Sequence, residues 1–421
     1  MRLACWRSEP VPKTAITLLA LLAVLLGTAP QALASKKARA AASAPAAPKV
    51  PEAGQAEARL IEVYQLLAAA QSRQALDKAT GLVQDYPHFQ LAQLVYGDIL
   101  ASRKRPVRMF GDVPSPLNTD GATGLDELRA ESRARLKALT ERPPAASIPA
   151  EFVNLSPRNR HAIAVDTSRS RLYLFENRPE GLKLLGDYYI SVGRSGVEKS
   201  VEGDLRTPLG VYFITSNLDP KSLSDFYGAG ALPINYPNVL DSKRGKTGKG
   251  IWLHGTPPGQ FSRPPQATDG CVVLTNPDLV RIIRTVETGT TPVVISQRLR
   301  WVAPELARAE AQPFQAALAA WQQAKASGDI DALLRHYSLD FNSNGKTLSD
   351  WTPVLRSEQG KVKGRALELK DLSVLRWTDA TDTMVVTFGE VAGGKRTGPV
   401  KRQYWMRQGS LWKIFFESNI A

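Results

Sequence analysis

At 421 residues the chain is long for one domain and comfortable for two or three, each large enough to bury a core. Its 43% hydrophobic and 22% charged residues are ordinary for a soluble globular protein. The formal net charge of +14 is scattered and not gathered into a stripe. It reads as a solvated basic surface or, more sharply, as attraction to an acidic polymer such as cell-wall glycan or anionic lipid; with no basic helix or recognition motif, nucleic acid is not an expected partner.

Arg2, Arg7 and Lys13 precede the apolar run "AITLLALLAVLLGTA", and Ala32-Leu33-Ala34 then supplies small residues of cleavage-site type. This order predicts a secretory signal peptide over residues 1–34 and an exported protein of the periplasm or cell envelope. The run of about 15 residues is short for a membrane span of about 20, so no transmembrane segment is expected after cleavage. No cysteine directly follows the run, which argues against a lipoprotein. Cleavage removes Cys5 and leaves Cys271 alone, unable to form an internal disulfide. An unpaired thiol in an oxidising compartment is a liability unless it is buried or used.

Residues 35–58 are rich in Ala, Pro and Lys and read as a flexible tether. Over 59–143 apolar residues recur at spacings of three and four, which predicts a helical region. Pro87 separates two helices resembling one tetratricopeptide-type hairpin. Residues 108–124 read as a loop, "LDELRAESRARLKALTERPP" as a helix ending before Pro143, and 144–160 as a linker. At residue 161 the period changes to two. "HAIAVD", "RLYLFEN" and "LGDYYISVG" alternate as half-buried strands, and strand signals continue to "TPVVIS" at 291–296. One helix, "NPDLVRIIRTV", interrupts them, with Asn276 as a plausible N-cap. The segment 161–298 is therefore expected to be a mainly-β domain. Residues 305–421 begin with a long helix, a Gly-Asp turn and a second helix, and end in four strands, an α+β order. Trp321, Trp351, Trp377, Trp405 and Trp412 fall in this block. The fold class expected is a multidomain chain: helical hairpin region, mainly-β domain, α+β domain.

The chemistry-bearing pair lies in the β-domain. His254-Gly255 ends an apolar strand, and Thr268-Asp269-Gly270-Cys271 opens another, with a Pro-rich loop between. Strands flanking a loop can be neighbours, so the imidazole could take the thiol proton and release a thiolate nucleophile. Gly270 permits close backbone approach, and the amides of Gly270 and Cys271 are candidates to face a developing oxyanion. Orienting the imidazole needs an acceptor; a backbone carbonyl suffices, and the sequence does not single one out. The bland alternative is an inert buried cysteine and a core histidine. No metal is expected, because His88, His161, His254 and His336 lie in separate segments and no HExxH or paired-Cys spacing occurs. No GxSxG elbow occurs either.

Residues 161–298 resemble the YkuD-type L,D-transpeptidases of bacterial cell walls. The resemblance rests on His254-Gly255, on Thr268-Asp269-Gly270-Cys271, on "LPINYPNVLD" at 232–241, and on the segment carrying Lys199, Glu202, Gly203, Asp204, Thr207, Pro208 and Gly210. Lys199, Glu202 and Asp204 read most simply as solvated charges of a glycine-rich turn with a structural role. Two departures concern the rim: Asp269 stands where many members have histidine, and Val273 where many have arginine. Asp269 either stabilises a protonated imidazole or is a turn residue before Gly270. The C-terminal block resembles the nuclear-transport-factor-2-like fold, a cone of sheet wrapped by helices. Its tryptophans are core, or one or two of them line a ligand groove. Some YkuD-type proteins carry such a domain, among them cell-shape enzymes that act as L,D-carboxypeptidases.

The resemblance implies peptidoglycan stem peptides as substrate and Cys271 and His254 as catalytic residues, with Gly270, Asp269, Thr268 and Gly255 on the site rim and no cofactor. D-alanine leaves and a thioester remains. An amine of a second stem, or a lysine of an envelope protein, then gives transpeptidation, the favoured outcome. Water gives carboxypeptidation. A non-catalytic wall-binding scaffold is the reading from another class.

Overall fold

The computed structural model describes residues 54–112, 119–362 and 364–420; the expected signal peptide, Cys5 and residues 35–53 of the tether lie outside them. Helix α1 (Gln55–Ala68) starts inside the expected tether. The expected hairpin is three helices, with α2 (Ser72–Asp85) and α3 (Gln90–Ser102) meeting across Pro87. The unexpected break follows Ala68. Ala70 adopts φ 56° and the Gln71 amide donates to Leu66 O at 2.9 Å, closing α1 with a left-handed turn. An alanine-rich stretch has high helix propensity, so nothing local announces this turn. Packing decides it: Leu60, Val63, Ala75, Ala79, Leu82, Phe89, Val95 and Ile99 close on one another as a core. Helix α4 (Thr119–Thr140) begins within the expected loop.

The helical region is fastened to the β-domain by buried charge. Arg135 pairs with Glu131 at 2.7 Å and with Glu57 at 2.8 Å, and Glu57 also pairs with Arg171 at 2.9 Å. The Arg135 guanidinium lies 3.9 Å from the centre of the Tyr189 ring. Removing one member of such a set strands the others in a poor dielectric, at about 3–5 kcal/mol.

In the β-domain the main sheet runs in the order Gly181–Tyr189, Arg171–Arg178, His161–Asp166, Pro292–Ser296, Gly210–Phe213. His161–Asp166 is buried along its whole length, not half-buried as its alternation suggests. Ile163 and Val165 face one core. Ala162 and Ala164 face another, shared with Leu375, Val385, Tyr404 and Phe415 of the C-terminal sheet. The second face is thus covered by the next domain. A smaller sheet, Val272–Val273, Trp252–His254 and Ala231–Pro233, carries the chemistry.

Residues 144–160 are more than a linker. Ile148–Pro149 pairs antiparallel with Trp301–Val302, and Phe152–Asn154 adds an edge strand to the C-terminal sheet beside Leu367–Thr378. That sheet continues with Asp382–Ala392, Val400–Gln408 and Leu411–Asn419. The expected long helix before it is interrupted between Pro304–Glu310 and Gln312–Ser327, because Pro313 fits only the first turn of a helix. Trp321, Trp377, Trp405 and Trp412 are buried and Trp351 partly so, which makes them core rather than groove. No helix among the described residues is long and apolar enough to cross a membrane.

Candidate active site

Trp252–His254 and Val272–Val273 run parallel, with Leu253 opposite Val272 and His254 opposite Val273. Cys271 immediately precedes the second strand. Because side chains alternate along a strand, Cys271 falls on the face of Val273 and His254, one diagonal step from the imidazole.

His254 is 1% exposed and its Nδ1 lies 2.7 Å from Gly255 O. A carbonyl only accepts, so Nδ1 carries the proton and Nε2 keeps its lone pair. The orienting acceptor that the sequence left open is therefore the Gly255 carbonyl. Burial pushes the imidazole down to about 4, against the Gly255 hydrogen bond and assisted by the Arg263 charge. It is a neutral base at physiological pH. Tyr227 and Phe226 wall the ring, with centroids at 5.1 and 5.8 Å.

The thiol is half-buried and donates to Gly250 O at 3.5 Å, not to the imidazole. Burial pushes it above the ordinary thiol range, with the Trp252 amide and Arg263 working against the rise. The resting pair is thus thiol and neutral imidazole, not thiolate and imidazolium.

The turn before the thiol is stapled from within. The Thr268 hydroxyl donates to Cys271 O at 2.8 Å and accepts from the Gly270 amide at 3.0 Å. Thr207 Oγ1 donates to Gly270 O at 2.9 Å. Gly270 has φ 123°, and a Cβ there would lie 2.6 Å from Arg206 O, so only glycine fits. One expectation is corrected: the Gly270 amide is consumed inside the turn, which leaves the Cys271 amide, unbonded among the described residues, as the donor able to face an oxyanion. Asp269 pairs with Arg194 at the surface and makes no bond to His254, as a turn residue would. Val273 is buried in the core.

Lys199 and Asp204 are structural but not solvated. The buried Lys199 Nζ donates to Asp204 Oδ1 at 2.7 Å and to Val201 O at 3.0 Å. The same carboxylate accepts from the Ser200, Val201 and Arg206 amides. Against its partial burial, these bonds hold Asp204 down at about 2. Glu202 is exposed.

Two residues join the site that sequence reasoning missed or misplaced. Thr275, not Asn276, caps the helix Asn276–Thr285, its hydroxyl accepting from the Asp278 amide. Asn276 instead sews together the backbone behind His254. Its Oδ1 accepts from the Ala229 amide at 2.9 Å and the Thr256 amide at 3.2 Å, and its Nδ2 donates to Thr256 O at 2.9 Å. It leaves no room for a side chain at Gly255, where a Cβ would lie 2.0 Å from its Oδ1. Thr, Asn and Asp all cap helices, so "TNPD" signals a cap without saying which residue serves. The other is Arg263, in the loop between His254 and Cys271. The helical region holds this loop. Phe261 packs on Phe89 and Tyr86 with centroids at 4.4 and 5.3 Å, and Ser262 Oγ donates to Glu131 at 2.8 Å. Among the described residues no group of three or more His, Cys, Asp or Glu is placed to hold a metal ion.

Residues 160–295 match the family model of the YkuD L,D-transpeptidase catalytic domain, and residues 313–418 that of the Cds6 C-terminal NTF2-like domain. No curated protein matches the chain. Among solved structures, Bd1075 of Bdellovibrio bacteriovorus is similar at 25% identity and a TM-score of 0.55, over 65% of this chain and 98% of that one. The helical cell shape determining protein Pgp2 from Campylobacter jejuni shares the fold at 22% identity and a TM-score of 0.51, over 64% of this chain and 95% of its own.

Proposed function

We propose that this chain, which carries a YkuD-type catalytic domain followed by a Cds6-type NTF2-like domain, is a cysteine-dependent peptidoglycan L,D-transpeptidase. The observation that carries the proposal is the thiol of Cys271 on the same face as His254, whose Nδ1 is tied to Gly255 O so that Nε2, without a partner among the described residues, is left for the thiol proton.

Nε2 takes the thiol proton as Sγ attacks the carbonyl of the L-centre that precedes D-alanine. The Cys271 amide faces the oxyanion. The tetrahedral adduct collapses: the C–N bond breaks, His254 returns the proton to the leaving amine, and D-alanine departs. An amine of a second stem, or a lysine of an envelope protein, then attacks the thioester, yielding a new amide and the free thiol. The basic surface suits the anionic wall polymer, and the N-terminal leader would export the protein to it.

A second reading, L,D-carboxypeptidase, replaces the amine by water. It is favoured by Asp269 on the rim and by Val273, buried where many family members carry arginine, and by likeness to a helical cell shape determining protein. Mass spectrometry of the protein incubated with disaccharide tetrapeptides, beside Cys271→Ala, decides between them. Cross-linked dimers from the wild type alone support the transpeptidase. Tripeptides alone favour the carboxypeptidase. Neither product, with or without an added amine acceptor, overturns both.

A further inference from the structure

The acyl-transfer steps give no task to Arg263, a buried cation in the loop between His254 and Cys271. Arg263 is 8% exposed. Its Nε donates to Gln260 Oε1 at 3.3 Å, and among the described residues neither Nη1 nor Nη2 has a hydrogen-bond partner and no carboxylate forms an ion pair with it. Arg135 and Arg171 are paired with Glu57 and Lys325 with Glu390, whereas Arg402, 3.5 Å from the centre of the Phe213 ring and bonded through Nε to Thr387, shares with Arg263 the lack of an ion pair among the described residues but lies away from Cys271 and His254. The Arg263 side chain is largely covered while its two terminal nitrogens stay open, so the fork is presented outward and not consumed inside the fold.

Its placement says what completes it. The guanidinium stacks 4.7 Å from the centre of the Phe226 ring, and that ring packs in turn on the His254 imidazole at 5.8 Å. The cation is therefore one aromatic ring away from the catalytic base. Its charge also bears on Cys271 and Asp269. The backbone under it is pinned: Tyr189 OH donates to Arg263 O at 2.9 Å, and the neighbouring Phe261 and Ser262 are held by the helical region. A pinned loop and a stacked guanidinium form a preorganised receptor for a planar anion.

We propose that Arg263 is a substrate anchor whose two free terminal nitrogens take a peptide carboxylate bidentately beside the bond that Cys271 attacks. The anchor rests on the acyl-transfer reading for its substrate, though not for its anion preference. Two carboxylates of the stem peptide share the required chemistry: the C-terminal carboxylate of D-alanine, and the carboxylate on the side-chain centre of a diamino acid at position three.

The test compares wild type, Arg263→Gln and Arg263→Lys on three peptides: the tetrapeptide, its C-terminal amide, and a tetrapeptide with lysine in place of the diamino acid. Arg263→Gln is expected to lower kcat/KM on the parent peptide at least about tenfold, chiefly through KM. It is expected to change turnover less than about twofold on whichever peptide lacks the anchored carboxylate, and that peptide identifies the source. Equal losses on all three peptides, or no loss on any, overturn the proposal.

An activity-independent readout keeps the anchor separate from the reaction. Cys271 is alkylated with anionic iodoacetate and with neutral iodoacetamide, and the ratio of rates is taken. Arg263→Gln is expected to lower that ratio at least about fivefold, while Arg263→Lys, which keeps the charge and loses the fork, retains most of it. An unchanged ratio in Arg263→Gln overturns the anchor even if stem peptides are turned over. A changed ratio in a protein that turns over no stem peptide sinks the acyl-transfer reading and leaves the anion site standing. Should Arg263→Gln disturb the loop, the Arg263→Lys ratio and its KM are read instead: a KM unchanged on the parent peptide counts against bidentate anchoring.

Discussion

Two buried sets of charged and polar groups, one in each half of the molecule, were built to opposite ends. In the C-terminal domain Lys325 pairs with Glu390 at 2.6 Å and Glu358 at 2.8 Å, and Lys401 with Glu417 at 3.1 Å and Glu390 at 3.3 Å. Glu417 also accepts from Gln403 at 2.6 Å and Tyr337 at 2.9 Å. Each ammonium and carboxylate there is consumed by its neighbours, so the network holds the sheet against its helices and offers nothing to a ligand. Around Cys271 the reverse holds. Among the described residues nothing bonds the lone pair of His254 Nε2, the Cys271 amide or the forks of Arg263. Burial is shared by both regions, and unpartnered buried atoms such as Trp321 Nε1 and Thr383 Oγ1 occur in the C-terminal domain as well, so neither alone marks a site; what distinguishes the region around Cys271 is that a thiol, a base and a cation with open groups are gathered together.

The comparison is tested hardest by removing the open groups. Cys271→Ala is expected to abolish product formation in the tetrapeptide assay while thermal unfolding stays near wild type, since only a sulfur is lost. His254→Ala should cut turnover by about 10²–10⁴. Near-normal turnover in His254→Ala would refute its role as base.

The closed network should answer in stability instead. Lys401→Met leaves buried Glu417 without its paired ammonium, while Glu390 keeps Lys325, and is expected to cost about 3–5 kcal/mol in chemical denaturation. A loss under about 1 kcal/mol would mean that the network is solvated. Acid should act on it as well. Burial would raise Glu417, but Lys401 and Lys325 hold it down at about 2, below its ordinary 4.5. A depressed carboxyl adds stability that is full above pH 4.5 and is lost as pH falls toward 2. Melting temperatures should fall across that window, and Glu417→Gln should flatten the fall.

The same acid range separates the two regions kinetically. His254 lies at about 4 instead of 6.5, so the base stays neutral and the acid limb of kcat/KM should sit near 4. In stability, this lowered imidazole contributes fully above 6.5 and less as pH falls from 6.5 to 4, because only the unfolded chain binds the proton there. A limb at 6.5 would mean a solvated ring. Alkylation of the thiol by iodoacetamide should still be rising at pH about 8.5, since the thiol is raised and unpaired.

Smaller effects probe the supports. Asn276→Ala frees the Thr256 and Ala229 amides and should lower kcat about tenfold with the fold intact. Asp269→His breaks only an exposed pair with Arg194, so stability should hardly move; a changed ratio of transfer to hydrolysis would show that the rim selects the acceptor.

Much of the site was readable along the chain because its constraints are local. Gly270 must be glycine for reasons of its own φ and of Arg206 close by, and Thr268 staples a turn of four residues. The alternation that begins at residue 161 reports strands wherever they end up. Arg263 was not readable, since a lone arginine in a Pro-rich loop looks like any solvated one. Its significance is that no carboxylate among the described residues pairs with it and that it stacks beside the His254 wall, and that emerges only once every neighbour is in place.

By itself, then, the sequence determined the period of each segment, the turn that presents Cys271 and the nearness of His254 in chain order. Steric and hydrogen-bond rules over a few residues suffice for these. Only the tertiary structure decided that His161–Asp166 is covered on both faces, that Phe152–Asn154 serves the C-terminal sheet, and that Glu57 meets Arg171 from 114 positions away. It also decided that Thr275 caps a helix while Asn276 braces the backbone behind His254. Those outcomes depend on which surfaces meet, and a hydrogen-bonding side chain near a helix start satisfies itself with whichever backbone the fold delivers to it.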